Sequence, residues 1–119
     1  MNAVITIFLA GPMSGYPDYN YPAFAAAAAD LRGQGFDVLN PAENFDGDVN
    51  REYAEYLRAS FMQVLQADAV VMLPGWEKSK GASLEVAVAK LIGLPRAELA
   101  AMQTSASWAG QLVAGGLAS

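Results

Sequence analysis

Glu85 is the side chain that the sequence best equips for chemistry. It closes the stretch Pro74-Gly75-Trp76-Glu77-Lys78-Ser79-Lys80-Gly81-Ala82-Ser83-Leu84-Glu85, in which an apolar run, Ala69 to Leu73, ends and a helical pattern begins. In an open α/β sheet the crevice beyond the carboxyl ends of the strands is where ligands bind, and a helix start offers free N–H groups and positive potential to an anion. Ser79 stands where an N-cap is expected, and Gly81 lets backbone amides approach closely. Leu84, Val88 and Leu91 follow helical spacing and are expected to face the sheet, which sets Glu85 at the edge of the buried stripe with a view into the crevice. A carboxylate at a helix start also serves simply to complement the dipole. The rest of the chain has to decide between the two.

The whole chain holds no histidine and no cysteine. Disulfides, thiolate chemistry, imidazole acid–base catalysis and the usual zinc sites are therefore excluded, and any catalysis must run on carboxylates, hydroxyls or amides. A formal charge of -5 argues against a polymeric nucleic acid or an anionic membrane surface as partner. At 119 residues and 54% hydrophobic composition, one globular domain with a real core is expected. No signal-peptide pattern and no membrane-spanning run is visible, so the expected location is cytoplasmic.

The elements that must position Glu85 follow in order. Ala3 to Ala10 is β-branched and almost continuously apolar, as for a central parallel strand buried on both faces. Gly11-Pro12-Met13-Ser14-Gly15 then gives a turn where backbone can approach a ligand, with Gly11 and Ser14 as candidate site residues. It lacks the lysine and glycine spacing of a phosphate loop and does not match the dinucleotide fingerprint, so no such cofactor is expected. Tyr16 to Pro22 is a polar aromatic loop with Asn20 as expected N-cap and Pro22 in the first turn of a helix whose face is Phe24, Ala28 and Leu31. Phe36 to Leu39 reads as a second strand. Glu43, Asp46 and Asp48 lie in a flexible acidic loop whose spacing fails the calcium pattern, so no metal is expected. A second helix from Arg51 should present Ala54, Leu57, Phe61, Val64 and Leu65 to the core. The third strand and the Glu85 helix complete a domain over residues 1–95, and Arg96 to Leu99 reads as a weak fourth strand. Residues 96–119, uncharged after Glu98, read as a tail that packs on a neighbouring subunit or is poorly ordered.

Strands alternating with helices give a parallel α/β sheet. The set Phe8-Leu9-Ala10-Gly11-Pro12-Met13-Ser14-Gly15, Asn40-Pro41-Ala42, Ala67-Asp68-Ala69-Val70-Val71 and Gly75 to Glu85 resembles the nucleoside 2-deoxyribosyltransferase superfamily, in particular a branch of small bacterial and phage proteins, and is similar to 2′-deoxynucleoside 5′-phosphate N-hydrolases. The resemblance runs from Val4 to about Leu94. It implies a flavodoxin-like, Rossmann-like three-layer sandwich with a parallel sheet of four to five strands. It also implies cleavage or transfer of the N-glycosidic bond of a 2-deoxynucleoside or its 5′-monophosphate, with Glu85 attacking C1′ to give a glycosyl-enzyme. An ester intermediate splits one hard step into two easier ones, and the helix start should keep Glu85 ionised. By the same resemblance Ser79 matches a phosphate-contacting serine, while Trp76 and Tyr16 are candidates to stack on the base. Family members are usually homo-oligomers in which a neighbour helps to close the pocket. Two positions depart from the family pattern. Phe8 stands where a tyrosine hydroxyl commonly orients the glutamate, and Ser60 where an aspartate helps to protonate the departing base; Asp18, Asn20, Asn40 and Glu77 are possible replacements. Those departures leave a nucleotide-binding module without turnover as an alternative reading, and the uncharged tail leaves an oligomeric interaction protein as another.

Overall fold

The computed structural model describes residues 4–103. The rest of the expected tail, including Trp108 and Leu112, lies outside the described residues.

The first apolar run forms β1 (Thr6–Ala10), and the chain continues through α1 (Tyr21–Gly33), β2 (Asp37–Leu39), α2 (Tyr53–Gln66), β3 (Ala69–Met72), α3 (Lys80–Leu91), β4 (Arg96–Glu98) and the short α4 (Leu99–Gln103). All strand pairs are parallel, in the order β2-β1-β3-β4. Phe8 is in register with Leu39 on one side and Val70 on the other, and Val70 with Arg96. The residues from Ile7 to Ala10 and from Ala69 to Met72 are buried throughout, as the lack of polar alternation in both runs requires of strands covered on both faces.

Side chains alternate along these strands into two apolar layers. Ile7, Leu9 and Val71 meet Phe24, Ala28 and Leu31 of α1, joined by Met102 of α4. Phe8, Ala10, Val70 and Met72 meet Val64 of α2 with Ala82, Val86 and Ala89 of α3. The result is the expected flavodoxin-like three-layer α/β arrangement with a four-stranded sheet. Gly11, just past β1, has to be glycine for packing: a Cβ there would stand 2.9 Å from Leu73 Cβ and 3.2 Å from Phe24 Cζ. Gly11→Ala is expected to cost about 1–3 kcal/mol by overpacking, read as a lowered urea midpoint.

Three expectations about the helices are corrected. Asn20 precedes α1 but does not cap it with its side chain. The residue is left-handed, with φ 62°, and its amide donates to Pro12 O at 3.0 Å, fastening the loop after β1. On α2 the buried residues are Ser60 and Val64, while Leu65 is 64% exposed. On α3 the buried stripe is Ala82, Glu85, Val86 and Ala89, and Leu84 and Leu91 are 41% and 86% exposed. Ala82, Val86 and Ala89 have the same spacing as Leu84, Val88 and Leu91, so periodicity alone could not choose between them. Small residues on the sheet side let the helix lie close against Phe8 and Val70, and this orientation turns Glu85 inward.

The acidic segment is also more fixed than a solvated loop. Pro41–Gly47 forms tight turns with Phe45 and Asp46 left-handed. It is fastened to α2 by the Asn44–Gln63 amide pair and an edge-to-face contact of Phe45 with Tyr56 at 5.7 Å. The Arg51 guanidinium sits 4.3 Å from the Phe45 ring centroid, and the Tyr56 hydroxyl accepts from Arg51 N and donates to Asp48 O.

Candidate active site

Consecutive strands leave β1 in opposite directions, to β2 on one side and β3 on the other. The crevice beyond the carboxyl ends of β1 and β3 is therefore the topological switch point, where doubly wound sheets bind ligands. A cavity of about 250 Å³ opens there. Its walls are the turn Gly11 to Ser14, the start of α3 from Lys78 to Ala82, one face of α2, and Pro41 and Asn44 from the turn after β2.

Glu85 lines this cavity and is 8% exposed. It is the sixth residue of α3, beyond the first turn in which the helix dipole acts strongly. Burial pushes its carboxyl up to about 7, and a hydrogen bond with Ser60 opposes the rise. The expectation that the helix start would keep Glu85 ionised is thus corrected: desolvation of the charged form outweighs the dipole. The same hydroxyl lies 3.2 Å from Leu57 O, a back-bond within α2, so its single proton serves either the helix backbone or the carboxylate. Glu85 is the single carboxyl among the described residues lining the cavity.

Ser79 is the N-cap of α3, its Oγ accepting from Ala82 N at 3.2 Å, and it lines the cavity as well. A Cβ on Gly81 would stand 3.4 Å from the Tyr53 hydroxyl and 3.9 Å from Leu57 Cδ2, so the start of α3 and the start of α2 face each other closely. Lys78 and Lys80 add positive charge on the same side. Gly11, Ser14 and Tyr16 line the opposite wall. The Tyr16 hydroxyl reaches the turn after β3, where Gly75 has φ 88° and a Cβ would meet that oxygen at 2.7 Å.

Trp76 is not among the cavity-lining residues. It is half-buried against the apolar layer of Phe8, Val70 and Val86, because the turn from Trp76 to Lys78 folds its ring back toward the core. Asp18, Asn20, Asn40 and Glu77 are likewise not among the lining residues, and Phe8 is fully buried in the layer below. The sequence reading missed Tyr21, Tyr53, Tyr56 and Asn44, all of which line the cavity. Tyr53, Tyr56, Leu57 and Ser60 share one face of α2 at helical spacing, a polar aromatic stripe that was legible but lay beside the apolar face taken for the core.

The family defined as a domain of unknown function, DUF4406, matches residues 5–96. The chain belongs to the DUF4406 family. That match spans every wall of the cavity. No curated protein sequence matches the chain. Among solved structures, the DUF4406 fold described here is similar to a 2-deoxyribosyltransferase from the psychrotolerant bacterium Bacillus psychrosaccharolyticus. The TM-score is 0.62 at 20% identity, over 78% of this chain and 70% of that one. That protein is described as a biocatalyst for nucleoside synthesis. The likeness establishes the nucleoside 2-deoxyribosyltransferase-like fold that the sequence pointed to.

Proposed function

We propose that the protein cleaves or transfers the N-glycosidic bond of a 2-deoxynucleoside or its 5′-monophosphate, with Glu85 as nucleophile. The observation that carries this reading is a buried carboxyl facing a cavity at the switch point of the sheet, one and a half turns inside a serine-capped helix. Ionised Glu85 attacks C1′; the C1′–N bond breaks with its electron pair going to the base, and a C1′–O ester forms. Water or a second base then attacks C1′, and the C1′–O bond breaks with its electron pair returning to the Glu85 carboxylate. The N–H groups at the start of α3, with Ser79, Lys78 and Lys80, suit a 5′-phosphate. The tyrosine rings of the cavity, Tyr16 among them, suit a base.

A second reading is favoured by two residues. Phe8 brings no hydroxyl to the glutamate, and Ser60 stands beside it with no acid function. A nucleotide-binding module without turnover fits them. Incubation with deoxynucleosides and their monophosphates, followed by chromatography of free base, separates the two. Release that requires Glu85 supports the enzyme; nucleotide affinity without release supports the module; neither removes both readings.

The protein is expected in the cytoplasm, as a homo-oligomer. The outward stripe of Leu84 and Leu91, with half-buried Val88 between, supports self-association. Leu91→Lys is expected to reduce the mass seen by light scattering; an unchanged mass would remove this support.

A further inference from the structure

Asn44 and Gln63 form a closed amide pair at the cavity wall. Asn44 Nδ2 donates to Gln63 Oε1 at 3.0 Å, and Gln63 Nε2 donates to Asn44 Oδ1 at 2.9 Å. Asn44 lines the cavity and the pair is partly buried. A primary amide carries two N–H donors and two acceptor lone pairs. The pair uses one of each on Asn44, leaving one N–H and one lone pair, which point to opposite sides of the amide.

The pair has a second property. If both amides turn over together, each bond is replaced by its mirror arrangement, nitrogen for oxygen on both partners, and nothing is left unsatisfied. The two states present opposite groups to the cavity, a donor in one and an acceptor in the other. The position of the pair along α2 suggests what it meets. Tyr53 stands against Gly81 at the start of α3, Ser60 against Glu85 seven residues on, and Gln63 holds Asn44 three residues further. At 1.5 Å per residue these levels lie about 10 Å and then about 5 Å apart. They run in the order anion end, reacting carboxyl, amide pair.

We propose that Asn44 reads the base of the bound nucleotide, and that its concerted turnover with Gln63 lets it accept both amino-bearing and keto-bearing bases. The inference rests on the nucleotide reading above and names the group that sets base tolerance. An amide that can reverse imposes little preference, whereas one locked by a one-sided partner would discriminate by about tenfold or more.

The test is calorimetric titration of the four common deoxynucleoside monophosphates in the Glu85→Gln background, where ligand is not consumed. The parent protein is expected to bind amino-bearing (adenine, cytosine) and keto-bearing (guanine, thymine) members within about threefold of each other. Asn44→Asp, which can only accept, is expected to favour the amino-bearing members by about tenfold. Gln63→Leu, which frees Asn44 without removing either of its groups, is expected to weaken all four by a similar factor. An unchanged ratio in Asn44→Asp overturns base reading by Asn44. A parent preference beyond tenfold for either class overturns the turnover. No binding of any nucleotide by the parent removes the underlying reading instead, a distinguishable result. Circular dichroism confirms that each variant is folded, and Asn44→Ala, expected to lose affinity without gaining a preference, provides a second comparison if Gln63→Leu is not.

Discussion

Glu85→Gln is expected to lower the rate of base release by at least about 10³-fold while the protein stays folded. Glutamine keeps the size and hydrogen-bonding reach of the side chain but cannot form the ester, so the double displacement loses its first step. Loss of a group that bonds to the reacting carbon falls on kcat and kcat/KM together, because the interaction exists only on the way to the transition state. A loss confined to KM would mean that Glu85 only binds. The same substitution should raise stability at pH 8. Burial lifts the Glu85 carboxyl to about 7 from an unfolded value near 4.5, so the folded state holds its proton more tightly. The resulting stability is fully present below about pH 4.5 and is lost as pH rises through 7. A neutral glutamine avoids the cost of burying that charge, a gain on the order of 3 kcal/mol at pH 8, measurable by urea unfolding. A folded, more stable and inactive variant is the signature of a side chain kept for chemistry at the expense of the fold.

The second large effect is on pH dependence. If the ionised carboxyl is the nucleophile, kcat/KM for base release rises about tenfold per pH unit below 7 and levels off above it. Between pH 5 and pH 8 the rate should climb about a hundredfold, given a carboxyl near 7. Ser60 opposes the shift, so Ser60→Ala is expected to move the midpoint upward. A profile flat from pH 5 to pH 8 would contradict Glu85 as the nucleophile. A profile falling over that range would indicate that the protonated form does the work.

Much of the fold was legible because its determinants are local. The runs Ala3 to Ala10 and Ala69 to Leu73 could be little else than buried parallel strands, and the breakers Gly33, Gly35 and Gly93-Leu94-Pro95 marked where the helices stop. Gly11, Ser14, Tyr16, Ser79, Gly81 and Glu85 meet at one cavity because the ends of β1 and β3 adjoin at the switch point. What the sequence hid depends on contacts between elements. Nothing local distinguishes the stripe through Ala82 from the one through Leu84, so the inward turn of Glu85 rests on how closely α3 packs against the sheet. The Asn44–Gln63 pair joins residues 19 apart, beyond the reach of any periodicity. Trp76 misled because an aromatic beside a ligand loop looks like a stacking group, whereas the turn at Gly75 sends it to the core.

The glycosyl ester is tested most directly by acid-quenching the wild-type protein during turnover of a deoxynucleoside monophosphate, then weighing both the intact chain and its peptides. One deoxyribosyl phosphate per chain is expected, carried by the peptide that contains Glu85 and formed in step with the first equivalent of free base. A burst of free base with no sugar on the protein, or with sugar on a peptide lacking Glu85, would contradict it.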